Sequence, residues 1–185
     1  MNWRLSHRFD VRALPLADRH YNRQKIGSPQ FVPPGRCVVL LSENADALWV
    51  TSYPFAEYVK HAWAGAWVCS LFRNESKTLS SDLIREAVAI TRHEFDCPPL
   101  GMITFVDETK TRKRRGRLSP PGKCYFDAGF RRAICPNHMI EVDDCAACNS
   151  RTKGGLVALQ MLPVDMPEAM EPYNAQADFF AGVAA

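Results

Sequence analysis

One stretch, residues 64–130, limits what this chain can fold into. It opens with an apolar run, AGAWVCSLFRNE, continues through the amphipathic segment LSSDLIREAVAITRHEF and reaches a second apolar run, LGMITFVD. Leu83, Ile84, Ala87, Val88 and Thr91 recur at helical spacing and form an inward stripe that Phe95 extends; Arg85 and Glu86 fall on exposed turns. Ser80 or Ser81 is expected to cap this helix. A strand, a polar loop, a helix and a second strand form a cleft at the strand ends, and Asp107 is expected to stand at its mouth. There it caps a turn or serves as a base or metal ligand. The free amides at the start of the helix, after the loop NESKTLSS, suit a phosphate or diphosphate.

The rest of the chain supplies further layers. FDVRAL (9–14) reads as a first strand, and LADRHYNRQKIG as a short helix ended by Gly27, with Leu16, Ala17 and Tyr21 facing inward. His20 and Tyr21 are expected on this helix, where a lone histidine is either a hydrogen-bonded structural residue or a ligand. SPQFVPPG is too proline-rich for regular structure, and a loop of this kind commonly borders a site. RCVVLLSENADALWVTSY and AGAWVCSLFRNE read as three strands of an antiparallel meander. The aromatic residues Tyr53, Phe55, Tyr58, Trp63 and Trp67 are concentrated here, either in the core or against a base. GKCYFDAGF reads as a short helix carrying Tyr125 and Phe126 and closed by Gly129. GLVALQML (155–162) reads as a last strand covered on both faces. Residues 163–185 form a tail, either a surface strap or a disordered segment.

With 185 residues, 46% of them hydrophobic, the chain suffices for one domain with a proper core. The net charge of +3 is unevenly spread: six of the eight residues from Lys110 to Arg117 are basic, namely Lys110, Arg112, Lys113, Arg114, Arg115 and Arg117. This run is either a polyanion contact or a solvated loop. No stretch reaches the length of a membrane span, and MNWRLSHRFDVR lacks the apolar core of a signal peptide. The cysteines number seven; Cys37, Cys69, Cys97 and Cys124 lie singly in or near core elements, which suits a reducing compartment.

Cys135, His138, Cys145 and Cys148 form the pattern C-x2-H-x6-C-x2-C. Two close pairs of soft ligands fit a closed, structural zinc site; a redox pair or unligated thiols are the alternatives. The segment is too small and polar to hold itself together, so a bound ion would supply the missing stabilisation.

The order of elements resembles that of the GCN5-related N-acetyltransferase (GNAT) fold. The resemblance implies an α/β (α+β) protein with a mixed, mainly antiparallel central sheet flanked by helices. Residues 1–185 then form a single GNAT-like domain, with its core at about 9–162 and a small zinc-binding insertion, 135–148, before the last strand. It further implies that acyl-CoA enters between the fourth and fifth strands, near Arg73, Asn74, Ser76, Ser80 and Ser81. The glycine-rich diphosphate signature of common acetyltransferases, Q/R-x-x-G-x-G/A, is absent.

ADRHYNRQKIGSPQF, RNESKTLSSDLIREAV, ITFVD, GKCYFDAGFRR and SRTKGGL together resemble a narrower branch, the Mom-type phage enzymes that hypermodify adenine in DNA. This implies His20, Tyr21, Asp107 and Tyr125 as catalytic residues, acetyl-CoA as donor, iron near His20, Tyr21 and Asp107, and a serine near the central helix that is Ser76, Ser80 or Ser81. The implied activity is a carbamoylmethyl-type modification at adenine N6. It would act on double-stranded phage DNA in the host cytoplasm and protect that DNA from restriction. The basic run would hold the backbone, and a flipped base could be received by the YPFAEYVKHAW region. Two alternatives use fewer features: N-acetyl transfer to a small-molecule or protein amine, and non-enzymatic DNA binding by a zinc-bearing protein.

Overall fold

The computed structural model describes residues 3–32, 34–111, 120–142, 145 and 156–174. Its elements are β1 (Trp3–Ser6), α1 (Leu14–Asp18), β2 (Arg36–Ser42), β3 (Ala47–Tyr53), β4 (Trp67–Asn74), α2 (Ser80–Glu94), β5 (Met102–Val106), α3 (Glu108–Thr111), α4 (Lys123–Ala128), β6 (Arg131–Arg132) and β7 (Val157–Met161). They build an α+β fold around a seven-stranded sheet of order β1-β2-β3-β4-β5-β7-β6. Every pairing is antiparallel except β4 with β5, which are joined through α2 and run parallel.

Alternation along the strands divides the core into two faces. Trp3, Leu40, Trp49, Trp67, Met102, Val106 and Leu159 share one face with Leu83, Ile84, Ala87 and Val88 of α2 and Ala128 of α4. The opposite face carries two separate clusters. Val39, Leu41, Leu48 and Val50 pack with Leu16 and Ala17 of α1 and with Phe31 and Val32 of the proline-rich loop. Val68, Ile103, Phe105 and Ala158 pack with Trp63 and with Cys135, Val142 and Cys145.

β4 breaks its own alternation. Val50 pairs with Leu71 but Thr51 pairs with Cys69, so Ser70 is an extra residue in the ladder. This β-bulge turns Leu71 to the α1 face and Phe72 to the α2 face. The parallel pairing of β4 with β5 ends at Cys69 and Thr104, beside the bulge. Beyond it β4 stays bonded to β3, and Phe105 and Val106 stay bonded to β7. The sheet therefore opens between β4 and β5.

Several local expectations are corrected. The first strand lies at Trp3–Ser6 and not at 9–14. The Asp10 carboxylate accepts hydrogen bonds from Ser6 Oγ and the Arg12 amide, and its carbonyl accepts from the amides of Ala13 and Leu14, which fixes a turn there. Helix α1 ends at Asp18, so His20 and Tyr21 sit in the turns that follow it, and Gly27 ends no helix. Leu79 is the N-cap residue of α2 and makes no side-chain cap; Ser80 and Ser81 lie in the first turn, and Ser80 Oγ accepts from Asn74 Nδ2 (3.0 Å). The tail is a strap as far as residue 174: the Arg92 guanidinium donates to the carbonyls of Met166 and Pro167, and the Tyr173 amide donates to the carbonyl of Trp3. No described helix is long and apolar enough to cross a membrane.

Candidate functional site

A cavity of about 650 Å³ occupies the opening between β4 and β5, within the range of ligand sites. Five consecutive residues of β4, Val68 to Phe72, form one wall, with Thr104 and Phe105 of β5 opposite. Tyr125 of α4 closes the α2 side, while His20, Tyr21, Phe31 and Val32 close the α1 side. The intervening wall is residues 22–25 with Ser28 and Gln30, held by the partly buried Arg23. Its guanidinium donates to Asp18 Oδ1 (2.8 Å) and to the carbonyls of Ser28 (2.6 Å) and Gln30 (3.2 Å). The second carboxylate oxygen of Asp18 accepts from the Gly27 amide (3.0 Å). The proline-rich loop thus borders the site, as expected, through Phe31 and Val32.

His20 is buried, with its ring stacked on Tyr21 at 4.5 Å between centroids. The Asn22 amide donates to its Nδ1 (3.3 Å), which places the neutral ring's proton on Nε2. Burial, reinforced by the charge of Arg73, pulls the imidazole down to about 4. At neutral pH His20 is therefore an uncharged hydrogen-bond donor. The Tyr21 hydroxyl donates to the carbonyl of Phe105 (3.5 Å), and burial raises the phenol above its ordinary range.

The Tyr125 hydroxyl lies 3.5 Å from Cys69 Sγ, and its ring packs edge-on against Phe72 and Phe130. Burial, with Cys69 and Cys124 close by, lifts this phenol well above its usual range. Burial also pushes the Cys69 thiol up to about 12, although its hydrogen bond with Tyr125 acts the other way. Cys69 therefore remains a thiol and a poor nucleophile. Thr104 Oγ1 donates to the carbonyl of Cys69 (3.3 Å), at the point where the strands part. The sequence reading left Cys69 and Thr104 without a site role, since a single cysteine on an apolar strand looks like packing.

Asp107 follows β5, at the strand mouth as expected, but it is not part of the cavity wall. Its Oδ1 accepts from the Thr109 amide (2.9 Å), Thr109 Oγ1 (2.6 Å) and the Lys110 amide (3.2 Å), and Oδ2 lies 3.6 Å from Lys110 Nζ. Led by the Thr109 hydroxyl, these contacts hold the carboxyl below its usual range. Asp107 thus anchors the start of α3, from which the basic run continues. Lys110 also sits 5.9 Å from the Tyr21 ring centroid. Arg112, Lys113, Arg114, Arg115 and Arg117 lie outside the described residues.

Of the residues expected at a diphosphate, Arg73, Asn74, Ser76 and Ser80 are engaged by other groups of the protein. Arg73 pairs with Glu75, which also takes both nitrogens of a fork from Arg19, and donates to the carbonyl of Arg19 (2.8 Å). Asn74 donates to the Thr78 carbonyl and to Ser80 Oγ, and accepts from the amide and hydroxyl of Ser76. None of Arg73, Asn74, Ser76, Ser80 or Ser81 lines the cavity. Of the aromatic cluster, Trp63 and Trp67 are core, Tyr53 is half-buried, and Phe55 and Tyr58 form an exposed edge-on pair.

A second centre lies behind the cavity. His138 Nδ1 is 3.3 Å from Cys135 Sγ and 3.1 Å from Cys145 Sγ, and the two sulfurs are 3.6 Å apart. A tetrahedral ion with bonds of about 2.0–2.3 Å spaces its ligands by roughly 3.5–3.8 Å, so this group can hold a metal ion. Both thiols are buried, and the backbone is preset. The Cys135 amide donates to the carbonyl of Ile140 (2.8 Å), the Met139 amide donates to that of Cys135 (2.8 Å), and Met139 takes a left-handed φ of 57°. The expected fourth ligand, Cys148, lies outside the described residues.

The chain matches no known protein family, no curated protein and no solved structure.

Proposed function

We propose that this chain is a DNA-modifying transferase of GNAT-like architecture. It would take acetyl-CoA into the opening between β4 and β5 and use it to modify adenine N6 in phage DNA, which protects that DNA from restriction; a carbamoylmethyl-type product further requires a two-electron oxidant to join the acetyl methyl carbon to N6 and an amine donor to displace coenzyme A as its thiol. The observation that carries the reading is the parting of the two parallel strands after Cys69 and Thr104, with His20, Tyr21 and Tyr125 lining the resulting cavity. The cavity carries side chains from both faces of the sheet, Tyr125 from one and His20 and Tyr21 from the other. Tyr125, kept neutral by burial, can hold a hydrogen bond to the sulfur of a thioester and to the thiolate as it leaves. His20, with its proton on Nε2, is placed to orient a carbonyl or a base edge. Asp107 serves the reaction indirectly by fixing the start of α3, which carries Lys110, and the basic residues that follow Lys110 in the sequence would contact a phosphate backbone.

The resemblance implies iron at His20, Tyr21 and Asp107. As arranged, the Asn22 amide occupies Nδ1 of His20, and the carboxylate of Asp107 is engaged with Thr109 and Lys110. These donors do not fit a shared ion. The ligand set Cys135, His138 and Cys145 suits zinc in a structural role.

Mass spectrometry of nucleosides from cells expressing the protein tests the reading. A modified deoxyadenosine is expected with wild type and not with Tyr125→Phe. Unaltered nucleosides from cells holding folded wild-type protein would rule it out, and acetylation of a free amine in the same cells would favour the small-molecule alternative.

A further inference from the structure

The metal-ligand hairpin and the cavity share a wall. Val68, Phe105 and Leu156 line the cavity, and the same three residues pack in the cluster that holds Cys135, Val142 and Cys145. Trp63 joins the two. It is fully buried, its Nε1–H donates to the carbonyl of Ile134 (2.9 Å), next to the first ligand, and its ring meets Phe105 edge-on at 6.1 Å. His61 completes the contact: its ring lies 5.0 Å from that of Phe105, and its Nδ1 accepts from the Trp63 amide.

The hairpin is short. Among the described residues its ends are closed by the Ile134–Glu141 bridge, with hydrogen bonds from the Cys135 amide to the carbonyl of Ile140 and from the Val142 amide to the carbonyl of Ala133. A segment so small takes its order from its ion, and Phe105 takes its backing from the hairpin.

We infer that the metal centre positions the β5 wall of the cavity through Trp63, so that metal and cavity ligand bind with positive coupling. Trp63 is a positioning residue, since it touches the wall and does not line the cavity. Coupling between binding sites is reciprocal: zinc should raise affinity for a ligand in the opening, and that ligand should raise affinity for zinc by the same factor, about tenfold here. The choice of acetyl-CoA as cavity probe rests on the transferase reading; the coupling itself does not.

The test compares full-length protein with and without one equivalent of zinc. Circular dichroism confirms that the sheet is intact in both forms. Hydrogen exchange is read at Phe105, Val106 and Leu156, and acetyl-CoA affinity is measured by calorimetry. Expected on zinc removal are faster exchange at these three amides, unchanged exchange in β2 and β3, and about tenfold weaker acetyl-CoA binding. Trp63→Phe keeps the ring but loses the bond to Ile134; it should still bind zinc, while the effect of zinc on exchange and affinity shrinks severalfold. No zinc binding, or zinc binding that leaves exchange at β5 unaltered, overturns the inference. If zinc slows exchange at β5 but the loaded protein binds no acetyl-CoA, the coupling stands and the transferase reading fails.

Discussion

Replacing Arg23 by alanine should be among the most damaging single changes outside the hydrophobic core. The side chain is only 9% exposed, and its guanidinium bridges the Asp18 carboxylate and the carbonyls of Ser28 and Gln30. Losing one partner of a buried ion pair costs about 3–5 kcal/mol, because the other charge stays desolvated. Asp18 keeps the Gly27 amide and is itself 19% exposed, so water recovers part of the loss. A value near the low end follows, about 3 kcal/mol, equivalent to roughly 6–12 °C in melting temperature for a chain of this size. Urea unfolding followed by circular dichroism measures it, with Lys123→Ala, which breaks an exposed pair with Asp127, as a control expected to match wild type. The double variant Asp18→Asn with Arg23→Ala should be less harmful than the sum of its parts. If Arg23→Ala costs under 1 kcal/mol, the pair does not hold the cavity wall.

Three other outcomes follow from particular residues. The unfolded state protonates His20 near pH 6.5 and the folded state only near 4, so its contribution is present above 6.5 and lost as pH falls to 4, amounting to roughly 3 kcal/mol; His20→Gln should flatten the melting temperature over that window, and an equal slope in both proteins would contradict the burial of a neutral ring. Gly101 holds a φ of 63°, and a Cβ there would collide with the carbonyl of Met161, so Gly101→Ala should cost about 3 kcal/mol or more in urea unfolding, and near-neutral behaviour would contradict this packing. A chelator should strip one metal equivalent per chain and lower the melting temperature, and the cobalt-substituted protein should show the visible absorption of a tetrahedral thiolate site; its absence would argue against the ligand set.

Features built on repetition were legible in the sequence. The stripe from Leu83 to Thr91, the meander strands and the close pair of Cys135 and His138 each depend on short spacing within one segment. The bulge at Ser70 was not legible, because a single extra residue in β4 leaves the apolar run looking continuous while it reverses the faces of Leu71 and Phe72. The first strand was misplaced because the buried hydrogen bonds of Asp10 make a turn out of a sequence that alternates like a strand. His20, Tyr21 and Tyr125 could be named in advance, but Cys69, Thr104 and the wall stapled by Arg23 come together only through long-range packing. Asp107 shows the opposite difficulty. Its place at the strand end was foreseeable, whereas the commitment of its carboxylate to Thr109 and Lys110 depends on where α3 begins.

The most direct measurement is the position of acetyl-CoA in a crystal of its complex with the protein. The thioester should lie between β4 and β5, beyond the Cys69–Thr104 pair, with its sulfur within hydrogen-bonding reach of Tyr125 Oη. A donor bound elsewhere on the surface, or a gap that stays shut and excludes it, would contradict the account.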